Sequence, residues 1–126
     1  MTRKDFEDLV FEKYKVRADY PFEDDNVSGV FRQTDNGKWF AIAMNVPSDR
    51  ITGDHLGRLD IVNLKCPPQI VESLAETEQG VFRAYHMNKI HWVSVVLDAA
   101  ADDLTEWLLD ISYTITGKNA KKIKDI

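Results

Sequence analysis

The chain has 126 residues, 44% of them hydrophobic, which suits one domain with its own core and excludes a disordered chain. Its formal charge of −5, from 16 Lys and Arg against 21 Asp and Glu, repels a phosphate backbone, so nucleic-acid binding needs a local basic patch. The single Cys66 excludes an internal disulfide and builds no zinc site alone. No apolar run has membrane-spanning length, and Met1 leads into Thr2, Arg3, Lys4 and Asp5 rather than into a signal peptide, so the expected location is the cytoplasm.

Thr2 is a plausible N-cap, and Phe6, Leu9, Val10 and Tyr14 follow at helical spacing, which predicts a helix over 3–15. Residues 16–26 read as a link, with Pro21 breaking regular structure and Glu23, Asp24 and Asp25 suiting a solvated loop. A strand over 27–34 and a return strand over 38–46 flank Asp35-Asn36-Gly37, which tolerates the positive φ of a tight hairpin turn. Strand alternation places Phe40, Ile42, Met44 and Val46 on one face, expected to be core. Trp39, Ala41, Ala43 and Asn45 fall on the other, expected to be open.

A third strand is predicted over 59–65. Pro67 and Pro68 are tolerated only in a first helical turn, so a helix should run over 67–78 with Ile70, Val71, Leu74 and Ala75 inward and Gly80 at its end. A short strand over 81–83 precedes the densest run in the chain, Tyr85-His86-Met87-Asn88-Lys89-Ile90-His91-Trp92. The apolar, β-branched stretch 90–97 reads as a buried strand. A last helix over 102–116 is capped by Asp102 or Asp103, repeats Leu104, Trp107, Leu108, Ile111 and Ile115, and stops at Gly117. The order α-β-β-β-α-β-β-α implies an α+β, two-layer fold with a five-stranded, mainly antiparallel sheet. Residues 1–117 form the domain, and 118–126 a lysine-rich tail of net charge +3 that reads as a solubilising end, against −8 for the rest.

Three stretches together resemble the MmcQ/YjbR family, described as predicted DNA-binding proteins with a double-wing motif. They are Asp35-Asn36-Gly37-Lys38-Trp39-Phe40-Ala41, Asp60-Ile61-Val62-Asn63-Leu64-Lys65-Cys66, and Tyr85-His86-Met87-Asn88-Lys89 with His91-Trp92. The resemblance covers about residues 3–117 and is most specific in Asn-Lys-x-His-Trp. It implies a two-layer fold like the type III secretion chaperones, also compared with frataxin-like CyaY proteins. It implies DNA binding, with Lys65, Arg83, Lys89 and the tail as phosphate contacts. The chaperone likeness implies instead a protein- or peptide-binding module using the open sheet face, and the CyaY likeness an iron-handling role. No catalytic residues carry over.

The residues alone show no nucleophile–base pair, readable carboxylate pair, phosphate-binding glycine loop or metal cluster, so a non-enzymatic, monomeric binding protein without metal or cofactor is expected. His86 and His91, five apart, would face opposite sides of a continuous strand. Cys66 reads as a small buried residue. Asn88 reads as a turn former and Lys89 as solvated. The candidate binding residues are Trp39, Lys65, Arg83, Tyr85, His86, Asn88, Lys89, His91 and Trp92. The polar ones supply donors and acceptors and the aromatic ones stacking surface, at the rigid start of the last strand.

Overall fold

The computed structural model describes residues 1–55 and 57–118. Apart from Lys118, the predicted tail lies outside them. The elements are α1 (Arg3–Tyr14), β1 (Gly29–Arg32), β2 (Trp39–Pro47), a 3-10 turn (Ser48–Arg50), β3 (Arg58–Lys65), α2 (Pro68–Leu74), β4 (Val81–Arg83), β5 (Trp92–Val96) and α3 (Asp102–Thr116). The strands pair antiparallel throughout, in the order β1-β2-β3-β5-β4. Helices cover one face, which is the two-layer α+β architecture expected from the element order.

Local chemistry explains the element ends. Thr2 caps α1 in a reciprocal box: its hydroxyl accepts from the Asp5 amide at 3.0 Å, and its own amide donates to the Asp5 carboxylate at 2.9 Å. Pro67 and Pro68 open α2, where a missing N–H costs nothing. That helix stops at Leu74, short of the predicted 78. Gly80 is not its stop. Gly80 has φ +80, and a Cβ there would lie 2.4 Å from the Ala100 nitrogen, so it serves a close chain crossing. The Gln33–Lys38 hairpin closes over four residues rather than a tight pair; Gly37 alone takes positive φ (+73). Asp102 and Asp103 are not caps of α3: the N-cap is Ala101, and both carboxylates lie in the first turn, where the helix dipole favours them. Gly117 has φ −80, so the helix end is held otherwise, by Gln33 Nε2 donating to the Tyr113 carbonyl (2.6 Å) and Asn36 Nδ2 to the Thr116 carbonyl (2.9 Å).

The faces of β2 differ from the simple alternation. Ala41 and Ala43 point into the main core with Phe6, Leu108 and Leu109, while Ile42, Met44 and Val46 pack on the helix-free side. The reason is steric: α3 packs across β2 and β3, and small alanines let it approach while its leucines fill the layer. A bulge then resets the pattern. Phe31 pairs with Ala41 and Arg32 with Trp39, leaving Phe40 as the extra residue. Phe40 therefore joins the helix-side core and Trp39 the helix-free side, each as expected, though its neighbours are reversed. Ser112 ties the layers together. Its hydroxyl donates to the Phe40 carbonyl (2.5 Å) and accepts from the Lys65 amide (2.9 Å).

A cleft on the helix-free face

On the side that carries no helix among the described residues, β2 and β3 form the floor of a cleft of about 380 Å³. Ile42, Met44 and Asn63 line the floor; Phe22, Asp25 and Ser28 come from the loop before β1, Trp39 from the bulge, and His86 and Met87 from the segment between β4 and β5.

Two polar devices build its walls. The Asp25 carboxylate receives the Val27 and Ser28 amides on Oδ1, both at 2.9 Å, and the Ser28 hydroxyl on Oδ2 at 2.5 Å. Those bonds, the Ser28 hydroxyl first, hold its carboxyl below the usual range. The Arg3 guanidinium donates to the Val27 carbonyl, fixing the same loop to α1. The second device is buried in the sheet. Asn63 is fully buried; its Nδ2 donates to the Tyr85 carbonyl (2.7 Å) and its Oδ1 accepts from the Ser94 hydroxyl (2.5 Å). Ser94 Oγ in turn accepts from the Tyr85 amide (2.8 Å), so two adjacent strands grip both backbone groups of Tyr85.

The segment after Tyr85 is ordered by its own side chains. His86 has φ +60, left-handed for a non-glycine residue, and its ring lies against Tyr85 with centroids 3.9 Å apart. Asn88 Oδ1 accepts from the Ile90 amide (2.8 Å) and the His91 amide (3.3 Å), the turn role expected of it. Lys89 is exposed, yet its ammonium donates to the Ala84 carbonyl at 2.8 Å.

The structure brings only some of the candidate residues together. Trp39 and His86 line the cleft. Trp92 is buried in the same helix-free cluster as Trp39 and Ile42, opposite Lys65 in the β3–β5 register. Tyr85 joins the neighbouring cluster with Ile61 and Val96. His91 is exposed on the connecting segment, outside the cleft lining. Neither histidine lies on β5, which begins at Trp92 rather than at residue 90. Arg83 pairs with Glu72 of α2 at 3.6 Å, on the helical side, away from Trp39.

Other perturbed groups belong to the helical layer. Tyr14 donates its hydroxyl to Asp110 and stacks on Tyr113 at 3.7 Å; burial, then that carboxylate, pushes its pKa far up. Burial pushes the Cys66 thiol up to about 12, as its reading as a buried residue implies. Among the described residues, no group of three or more His, Cys, Asp or Glu could hold a metal ion, and no helix is long and apolar enough to cross a membrane.

A model of the YjbR family matches residues 11–115, most of the described structure. The chain belongs to the YjbR family. Its relatives include the uncharacterised protein YyaQ of Bacillus subtilis, 42% identical over 98 residues, which span 78% of this chain and 82% of that one. A crystal structure of a Pseudomonas syringae protein is similar with TM-score 0.89 and 36% identity, over 93% of this chain and all of that one. Protein DR2400 of Deinococcus radiodurans, a DUF419 domain, is similar with TM-score 0.68 and 25% identity, over 99% and 88%. In this YjbR chain, reading the sequence missed Phe22, Asp25 and Ser28, because an acidic loop resembles any solvated linker. The available signal was the Asp-x-x-Ser spacing, which marks a side chain folded onto its own backbone.

Proposed function

We propose that this YjbR protein is a non-enzymatic binding module that receives a short segment of a partner protein in the helix-free cleft. The observation that carries the reading is the chemistry of the lining. Phe22, Trp39, Ile42, Met44 and Met87 present apolar and polarisable surface, Ser28 and Asn63 are engaged within the fold, and Asp25 is engaged on Oδ1 and in part on Oδ2. Unbranched thioethers adapt to side chains of different shape, which suits recognition better than chemistry. The cations implied as phosphate contacts are not gathered in one stripe: Arg83 faces Glu72, Lys89 is bound to the Ala84 carbonyl, and Lys65 lies across from Trp92. This favours a protein segment over a nucleic-acid backbone, as does the charge of −5.

The test is an amide chemical-shift titration with a panel of short peptides, beside a duplex DNA at 50 and 200 mM salt. Peptides should perturb Ile42, Met44 and Met87, and Met44→Glu should abolish that response. Duplex binding that falls steeply with salt, with slope about −0.9 per phosphate neutralised, and is indifferent to Met44→Glu would establish the DNA-binding role instead. Silence toward every peptide at concentrations of about 1 mM, the scale of a −4 kcal/mol interaction, would end the reading.

A further inference from the structure

We infer that the partner segment is anchored in the cleft by a lysine, its ε-ammonium set against Phe22 and Trp39 and facing the Asp25 carboxylate. The inference rests on the peptide-binding reading above and specifies which side chain the cleft selects.

Four observations converge on it. The Phe22 and Trp39 rings form an edge-to-face pair, at 88° with centroids 6.2 Å apart, so two walls of the cleft are aromatic. A cation entering there is drawn to the ring face that the pair leaves uncovered. Trp39 already serves as such a platform: the Arg32 guanidinium, which is not part of the lining, sits 5.3 Å from its centroid while bonding Asp19 at 2.8 Å. The third observation is charge. Among the described residues the lining contains Asp25 and no Lys or Arg, and Glu23 and Asp24 are exposed beside it; the two nearby guanidiniums, Arg3 and Arg32, are each paired with a carboxylate outside the lining, Glu7 and Asp19, so the mouth keeps a negative excess that attracts cations. The fourth is the state of the carboxylate. Its Oδ1 accepts two amides, but among the described residues Oδ2 accepts only the Ser28 hydroxyl and keeps a lone pair for an incoming donor.

These details discriminate between occupants. A neutral apolar side chain would remove water from Asp25 and leave it only Arg3, already shared with Glu7, as counter-charge, which is unfavourable. Arginine is matched best by two free carboxylate oxygens, and only one has room here. A lysine brings a compact charge on an apolar stem. That stem suits Met44 and Met87, while the ammonium reaches the aromatic walls.

The experiment titrates the full chain with four blocked pentapeptides identical except at the centre, which is Lys, norleucine, Arg or Glu, and follows the amide shifts of Ile42, Met44 and Met87. The lysine peptide should bind about tenfold more tightly than the norleucine peptide, the sum expected of one cation–π contact and one partly exposed ion pair. Phe22→Leu, which keeps an apolar wall but removes the ring, should weaken the lysine peptide several-fold more than it weakens the norleucine peptide. Phe22 is 40% exposed, so the variant should keep the wild-type melting temperature; the lysine–norleucine comparison on the wild type is decisive without it. Norleucine binding as tightly as lysine, with the same shifts, overturns the cation anchor and leaves the peptide reading standing. Arg binding as tightly as Lys, or Glu binding at all, also overturns it. No response to any of the four removes both.

Discussion

Replacing Asn63 with alanine tests whether the cleft stands on the buried network under Tyr85. Asn63 is fully buried and makes two hydrogen bonds, to the Tyr85 carbonyl at 2.7 Å and from the Ser94 hydroxyl at 2.5 Å. Truncation leaves the Ser94 donor unsatisfied in a buried site, which costs about 1–3 kcal/mol, while the half-buried Tyr85 carbonyl can recover water and adds about 1. The expected loss is about 3 kcal/mol. With an unfolding entropy of about 2.1 cal/mol/K per residue over 126 residues, that lowers the melting temperature by about 11 °C. Ser94→Ala removes the group that bridges the Asn63 Oδ1 and the Tyr85 amide, so the two substitutions share one network. The double variant should therefore be less destabilised than the two singles combined, by about 1 kcal/mol or more. The assay is thermal and urea unfolding, with hydrogen exchange over residues 85–91 as a local reporter. A loss below 1 kcal/mol for Asn63→Ala, or strict additivity with Ser94→Ala, would refute the argument that this pair holds the segment.

Three further outcomes follow from separate sites. Gly80→Ala should destabilise by about 3 kcal/mol in chemical denaturation, since it combines a left-handed φ with a Cβ placed 2.4 Å from backbone of Ala100. Native Cys66 should resist a disulfide-exchange reagent at pH 8 and react at once in denaturant, because its thiol is buried and its pKa is pushed up to about 12. Asp25 has a folded pKa below its unfolded value, so its stabilising bonds are fully present above the unfolded pKa and are lost as pH falls through the folded one. The stability gap between wild type and Asp25→Ala, measured by urea unfolding, should hold at pH 7 and close on acidification below about pH 4.

Much of this architecture is local and could be read from spacing. The Thr2 cap, the double proline at the start of α2, the glycine of the 33–38 hairpin and the apolar run of β5 each act within a few residues of themselves. Their positions therefore follow from backbone chemistry that needs no partner. The family resemblance was legible for a similar reason, since its motifs lie in short contiguous stretches. Asn88 too announced its turn role, because an Asx side chain bonds the backbone two residues on.

Which way those elements face was decided only by packing. The alternation in β2 has the same period whichever side the helices take, and the side is chosen by α3 needing alanines beneath its leucines. The Phe40 bulge then breaks the period, a fault invisible to a rule that assumes it. The cleft is less legible still. It unites Asp25, Trp39, Asn63 and His86, residues that are remote in the chain and meet only because β3 pairs with both β2 and β5. The sequence by itself determined the elements and the kinship, because those depend on near neighbours. The sheet order alone decided which side chains share a wall, since that depends on pairings between distant segments.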